Sequence, residues 1–132
     1  MHYTIDLDKE HGFVRLTFFG TVTRGLADAS LEGTYSLLMT NGLKKLLVDI
    51  TMSELSLTQS ELYFITTMIR SKCHLDISIV VLARSDQMRL VSYLELFTYN
   101  RCINLKAYLE EEKAVIGLRR DRGMYEPRKS DD

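Results

Sequence analysis

The first twenty residues alternate between apolar and polar. Tyr3, Ile5 and Leu7 are separated by Thr4, Asp6 and Asp8, and a period of two predicts a half-buried strand. Lys9-Glu10-His11-Gly12 reads as a turn. Phe13 to Phe19 reads as a second strand, with Val14, Leu16 and Phe18 on one face and Phe13, Arg15, Thr17 and Phe19 on the other. Two such runs joined by a short turn are expected to pair as a hairpin, with Gly20 closing the second strand. From about Gly25 to Asn41 the period lengthens: Ala27, Leu31, Tyr35 and Leu38 fall on one helical face. Asn41-Gly42 is the expected stop, because glycine accepts the left-handed conformation there without a steric cost.

Leu46-Leu47-Val48-Asp49-Ile50 follows as a short buried strand, and a Ser/Thr-rich loop is expected after it. The next helix has the clearest local start in the chain. Thr58 and Glu61 have the spacing of a capping box, and Leu57 and Leu62 sit at the positions of a hydrophobic staple. Leu62, Ile65 and Ile69 continue the apolar stripe, and Phe64 and Met68 are expected to widen it. Ile77 to Ala83 is a largely β-branched run, apolar but for Ser78, as in a central strand covered on both faces. Ser85 is the expected N-cap of a third helix, with Asp86 in its first turn. Leu90, Tyr93, Leu94 and Phe97 form that helix's apolar face. Cys102 to Tyr108 reads as the last strand, with Ile103, Leu105 and Ala107 on one side. Glu110-Glu111-Glu112 then opens a short helix ending near Leu118, since acidic residues favour a helix N-terminus.

The order β-β-α-β-α-β-α-β-α predicts a single α/β domain. Its sheet is mixed but mostly parallel, with an N-terminal β-hairpin and covering helices. The domain is expected over residues 1–120, with 121–132 as a polar tail that holds the chain's single proline, Pro127. A chain of 132 residues supports one core without a disulfide or metal staple. Its net charge of −1 supplies no global field for nucleic acid or an anionic membrane. No run is long enough to insert in a bilayer, and Asp6, Asp8, Lys9 and Glu10 interrupt any secretory signal. A cytoplasmic location is therefore expected, with Cys73 and Cys102 as two buried, reduced thiols.

Candidate chemistry is sparse. His2, His11 and His74 are scattered, and Cys73-His74 are sequence neighbours rather than a dyad. There is no nucleophile elbow, phosphate loop or dinucleotide fingerprint, so no catalytic set, cofactor or metal site is expected. Asp49, near the carboxyl end of a parallel strand, is placed either to cap the following loop or to serve a ligand. Thr51, Ser53, Ser56, Thr58 and Ser60 crowd the next segment as caps or contact groups. Arg84 ends the central strand and is a further candidate contact. Arg119, Arg120 and Arg122 suit a helix C-terminus rather than a nucleic-acid surface.

Three stretches together resemble the SpoIIAA-like branch of the STAS superfamily (sulfate transporter and anti-sigma-factor antagonist). They are Val14–Thr23, a strand with a glycine exit; Leu46–Ile50, a central strand carrying aspartate; and Leu109–Leu118, an acidic final helix. The resemblance spans about Tyr3 to Leu118. It implies a small non-enzymatic regulatory or interaction module, with similar folds holding nucleotides or apolar ligands. In phosphorylated anti-sigma antagonists an Asp-Ser-Ser-Gly motif begins the helix after the central strand. Here Thr58-Gln59-Ser60-Glu61 stands in its place, and Ser60 is the residue-level match and the phosphorylation candidate.

The expected function is thus a binding module for a partner protein or a small apolar ligand, with homodimerisation through a helix face as a further possibility. Its contact residues would be Asp49, Thr51, Ser53, Ser56, Thr58, Ser60 and Arg84. The alternatives are a phospho-regulated antagonist, or a small enzyme using Asp49 or Arg84 at the strand ends.

Overall fold

The computed structural model describes residues 2–72 and 76–120. Cys73, His74 and the expected tail lie outside the described residues. A hairpin opens the chain: β1 (Tyr3–Asp8) pairs antiparallel with β2 (Phe13–Val22), in the register Tyr3 to Phe18 through Asp8 to Phe13. Then follow α1 (Arg24–Thr40), β3 (Lys45–Leu55), α2 (Gln59–Lys72), β4 (Ser78–Leu82), α3 (Met88–Asn100), β5 (Asn104–Tyr108) and α4 (Glu111–Arg120).

The five strands lie in the order β1-β2-β3-β4-β5, and every pair after the hairpin is parallel. Each crossover therefore steps the same way along the sheet. A right-handed connection that always steps the same way puts every crossover helix on one face. That face carries the larger core. Leu16, Leu46, Val48, Ile50, Ile79, Val81 and Leu105 pack there with Ala27 and Leu38 of α1, Ile65 and Ile69 of α2 and Val91 of α3. Among the described residues, α4 alone covers the other face, where Ala114 and Leu118 close over Phe13, Leu47, Val80 and Leu82. All five residues of β4 are buried, as a strand sandwiched between two helix layers should be.

Three local expectations needed correction. β2 does not end at Gly20 but runs on to Val22, and Gly20 takes a φ of +72° within the strand. Glycine is the residue that bends a strand this way without strain. β3 does not end at Ile50. The expected loop residues Thr51 and Ser53 are strand, and pairing with β2 continues to Val22–Leu55. The third helix is entered through a short 3₁₀ turn, Ser85–Gln87, so Ser85 lies inside the first turn rather than at its cap.

Burial differs from the sequence pattern at several helical positions. In α1 the fully buried residues are Ala27, Ser30, Thr34 and Leu38, while Leu31 and Tyr35 are half-buried. In α3 they are Val91 and Thr98, with Leu90, Tyr93, Leu94 and Phe97 half-buried. Phe64 is not core but 49% exposed. It lies two residues from Leu62, about 200° around the helix, so the helical period itself places it on the outer side. Cys102 is exposed, not buried, at the turn between α3 and β5. No described helix is long and apolar enough to cross a membrane.

Candidate functional site

The sequence candidates converge on the carboxyl end of β3, and the geometry there begins with a bulge. Thr17 faces Asp49 and Phe19 faces Met52, so three steps on β3 match two on β2. The extra residue reverses which side of the strand faces the core. Leu46, Val48 and Ile50 point inward before it; Ser53 points inward after it, leaving Met52 and Glu54 exposed. Asp49 spans the irregularity. Its Oδ1 accepts from the Thr51 N–H at 2.9 Å and from the Thr51 hydroxyl at 2.6 Å. Its Oδ2 accepts from Arg15 at 2.7 Å, and the same guanidinium nitrogen reaches Glu111 of α4 at 2.6 Å. Burial acts to raise the pKa of Asp49. The Thr51 hydroxyl and N–H, and then Arg15, outweigh that and hold it below the ordinary carboxylate value. Asp49 thus organises backbone, in keeping with the capping role open to it in the sequence.

β4 stops pairing at Leu82, opposite Asp49, while β3 continues for six more residues. The β3 carbonyls beyond that point face the place where β4 would have continued. Two side chains from the β4–α3 turn take the part of the missing strand. The Gln87 amide donates to the Ile50 carbonyl at 2.8 Å and to the Ser53 carbonyl at 2.9 Å. The Arg84 guanidinium donates to the Thr51 carbonyl and, at 3.1 Å, to the Ser53 carbonyl. Gln87 is in turn fixed by the Arg84 N–H, which donates to its Oε1 at 2.8 Å. Asp86 and Glu54 flank the Arg84 guanidinium at 3.0 and 3.3 Å. A hydrogen bond to Asp86 is the largest cause of the raised pKa of Arg84. The Ser53 hydroxyl donates back to the Ile50 carbonyl at 2.8 Å.

Asp49, Thr51, Ser53 and Arg84 therefore belong to one framework. Sequence reasoning missed Arg15, which reaches Asp49 from β2, Glu111 of α4, which shares that guanidinium, and Gln87. A side-chain amide serving a strand 37 residues earlier leaves no local pattern. Ser56, Thr58 and Ser60 lie along the adjoining rim and are exposed. Thr58 and Glu61 form the reciprocal cap expected of them: the Glu61 N–H donates to the Thr58 hydroxyl at 3.1 Å, and the Thr58 N–H donates to Glu61 at 2.9 Å. Ser60 stands exposed in the first turn of α2, next to that occupied carboxylate.

Under this rim lies an apolar cavity of about 90 Å³, between the sheet and the three crossover helices. Phe18, Val48, Ile50, Val81, Ala27 and Ile65 are among its walls, and the half-buried Leu55, Leu57, Leu90 and Leu94 line the side toward the ends of β3 and the start of α3. Tyr63 and Phe64 take no part in it, and Tyr35 lines a separate, smaller hollow beside Met68. Among the described residues, no group of three or more His, Cys, Asp or Glu is placed to hold a metal.

The sequence matches no protein-family model and no curated protein. The fold matches solved structures. One is an anti-sigma factor antagonist from Mycobacterium paratuberculosis, with a TM-score of 0.59 and 17% identity, over 89% of this chain and 92% of that one. Another is an uncharacterised DUF3478-family protein with a SpoIIAA-like fold from Shewanella loihica, with a TM-score of 0.60 and 15% identity, over 89% and 95%. With its mixed five-stranded sheet and hairpin edge, this chain has a SpoIIAA-like fold.

Proposed function

We propose that the protein is a non-enzymatic STAS-type binding module that engages a partner protein through the rim at the carboxyl end of β3. The observation that carries this is the hydrogen-bond ledger of that rim. Asp49, Thr51, Ser53 and Arg84, the groups best suited to chemistry, are engaged in holding the extended strand. What the rim offers outward is contact surface: Met52, 65% exposed, with Glu54, Ser56, Thr58 and Ser60 around it. A rigid strand end bearing an exposed thioether suits protein contact, since methionine adapts to irregular apolar partners. Ser60 is the hydroxyl for a regulatory phosphate. A phosphate there would meet the helix N-terminus but also the Glu61 carboxylate, and would compete with it for the cap.

A second reading is favoured by the cavity. That apolar space has a volume of about 90 Å³. It is smaller than the roughly 150 Å³ that accommodates benzene, so it suits a short aliphatic group. A larger apolar ligand would have to part α2 from α3.

Native mass spectrometry of the protein purified from its own host separates these readings. A co-purifying polypeptide that Met52→Glu removes supports the rim as a protein site. A small aliphatic adduct that Ala27→Leu removes, by filling the cavity, supports the ligand reading. A turnover activity that Asp49→Asn abolishes without unfolding the protein overturns both and restores the enzyme alternative.

A further inference from the structure

A second surface lies away from the β3 rim. Across the outer side of α2 and α3 runs a ladder of rings. Phe64 meets Tyr63 edge-on with ring centres 5.9 Å apart, Tyr63 meets Phe97 edge-on at 5.8 Å, and Phe97 stacks on Tyr93 at 6.3 Å. Two guanidiniums lie over it: Arg24 is 4.8 Å from the centre of the Phe64 ring, and Arg101 is 4.4 Å from that of Tyr63. Phe64 and Tyr63 are nonetheless 49% and 46% exposed. Contiguous exposed apolar surface on a small domain marks an interaction site, and tyrosine, phenylalanine and arginine are the residue types enriched at protein interfaces.

The charges specify the partner. Among the described residues no carboxylate stands within ion-pairing distance of Arg101, whose guanidinium lies on the Tyr63 ring instead. Arg24 has only Asp28, at the long distance of 3.8 Å. A second copy of this chain docking about a two-fold axis would set this arginine-bearing patch against itself, with little acid to answer it. A bilayer is disfavoured by the chain's net charge of −1, which gives no steering toward anionic lipid.

We propose that the α2–α3 face docks an acidic amphipathic helix of a partner protein. Its apolar side chains would lie on Phe64 and Tyr63, and its carboxylates would take the guanidinium forks of Arg101 and Arg24. This surface is separate from the β3 rim, so it stands or falls independently of the partner proposed there.

The test is fluorescence anisotropy of the full chain with a fluorescein-labelled synthetic helix-forming peptide. The probe carries leucines at helical spacing and glutamates on the flanks; a control replaces the glutamates with lysines. The expected result is salt-sensitive binding of the acidic probe. That binding weakens about tenfold in Arg101→Gln and again in Phe64→Ser, is partly retained in Arg101→Lys, and is absent for the lysine peptide. Circular dichroism should show all three variants folded. No binding of the acidic probe, equal binding of the two peptides, or unchanged affinity in Arg101→Gln overturns the proposal. So does sedimentation with phosphatidylserine vesicles, or self-association, that Phe64→Ser abolishes while the acidic probe fails to bind.

Discussion

The end of β3 and the outer face of α2–α3 both carry arginines, yet they differ in where those groups are directed. At the end of β3, two side chains from the β4–α3 turn supply donors to backbone carbonyls that a strand would otherwise have met. On the α2–α3 face, two guanidiniums lie on half-exposed rings. The polar groups of the first region are satisfied from within; the second turns apolar rings and cationic charge outward. Polar density alone does not mark a site. Charge without a carboxylate partner beside exposed apolar surface is the better sign.

On that contrast, substitutions in the hydrogen-bonded framework of the β3 end should cost stability, and those on the aromatic face should cost recognition. The largest effect is expected at Gln87. Gln87→Ala removes one of the two donors on each of the Ile50 and Ser53 carbonyls and takes the acceptor from the Arg84 N–H, and should lower unfolding free energy by about 3 kcal/mol in a urea titration. A loss below about 1 kcal/mol would mean that water replaces the amide.

Asp49→Asn should cost about 2 kcal/mol, between the values for exposed and fully buried pairs, because Arg15 is partly open to solvent. It should also change the acid limb of stability. The folded pKa of Asp49 is depressed, so its contribution is complete above the ordinary carboxylate value of about 4. It is lost as pH falls through that value toward the folded pKa. Wild-type stability should therefore drop more steeply below about pH 4 than that of Asp49→Asn, as chemical unfolding at several pH values would show.

Thr58→Ala removes one half of the α2 cap and should cost about 1 kcal/mol, measurable as a lower thermal midpoint. Phe64→Ser should cost least, under about 1 kcal/mol, since it gives up one edge-on ring contact and one cation–π contact at an exposed position. A larger loss from Phe64→Ser than from Thr58→Ala would blur the distinction between the two regions.

The sequence made the scaffold legible because its signals are local. The alternation through Leu7 and Phe18 specified the hairpin, and the Thr58–Glu61 spacing specified the start of α2. The extension of β3 was hidden because the bulge breaks the two-residue period on which strand recognition depends. Asp49-Ile50-Thr51, a carboxylate two residues before an N–H it can take, was the trace it left. The strand-replacing roles of Arg84 and Gln87 had no trace, since they join residues more than 30 positions apart. The exposure of Phe64 was legible in principle, because its angle on the helix opposes Leu62, but aromatic character suggested core. No such rule could show that two arginines, one from α1 and one from the turn after α3, meet the rings of α2.

The most direct measurement is native mass spectrometry of two variants purified side by side from the native host, Met52→Glu and Asp49→Asn, each checked for folding. If the end of β3 is a framework presenting a contact surface, Met52→Glu loses its co-purifying polypeptide at unchanged stability, and Asp49→Asn keeps it at reduced stability. The reverse pattern, with the polypeptide retained by Met52→Glu and lost by a fully stable Asp49→Asn, would make the carboxylate itself the recognition group and contradict the framework role assigned to it.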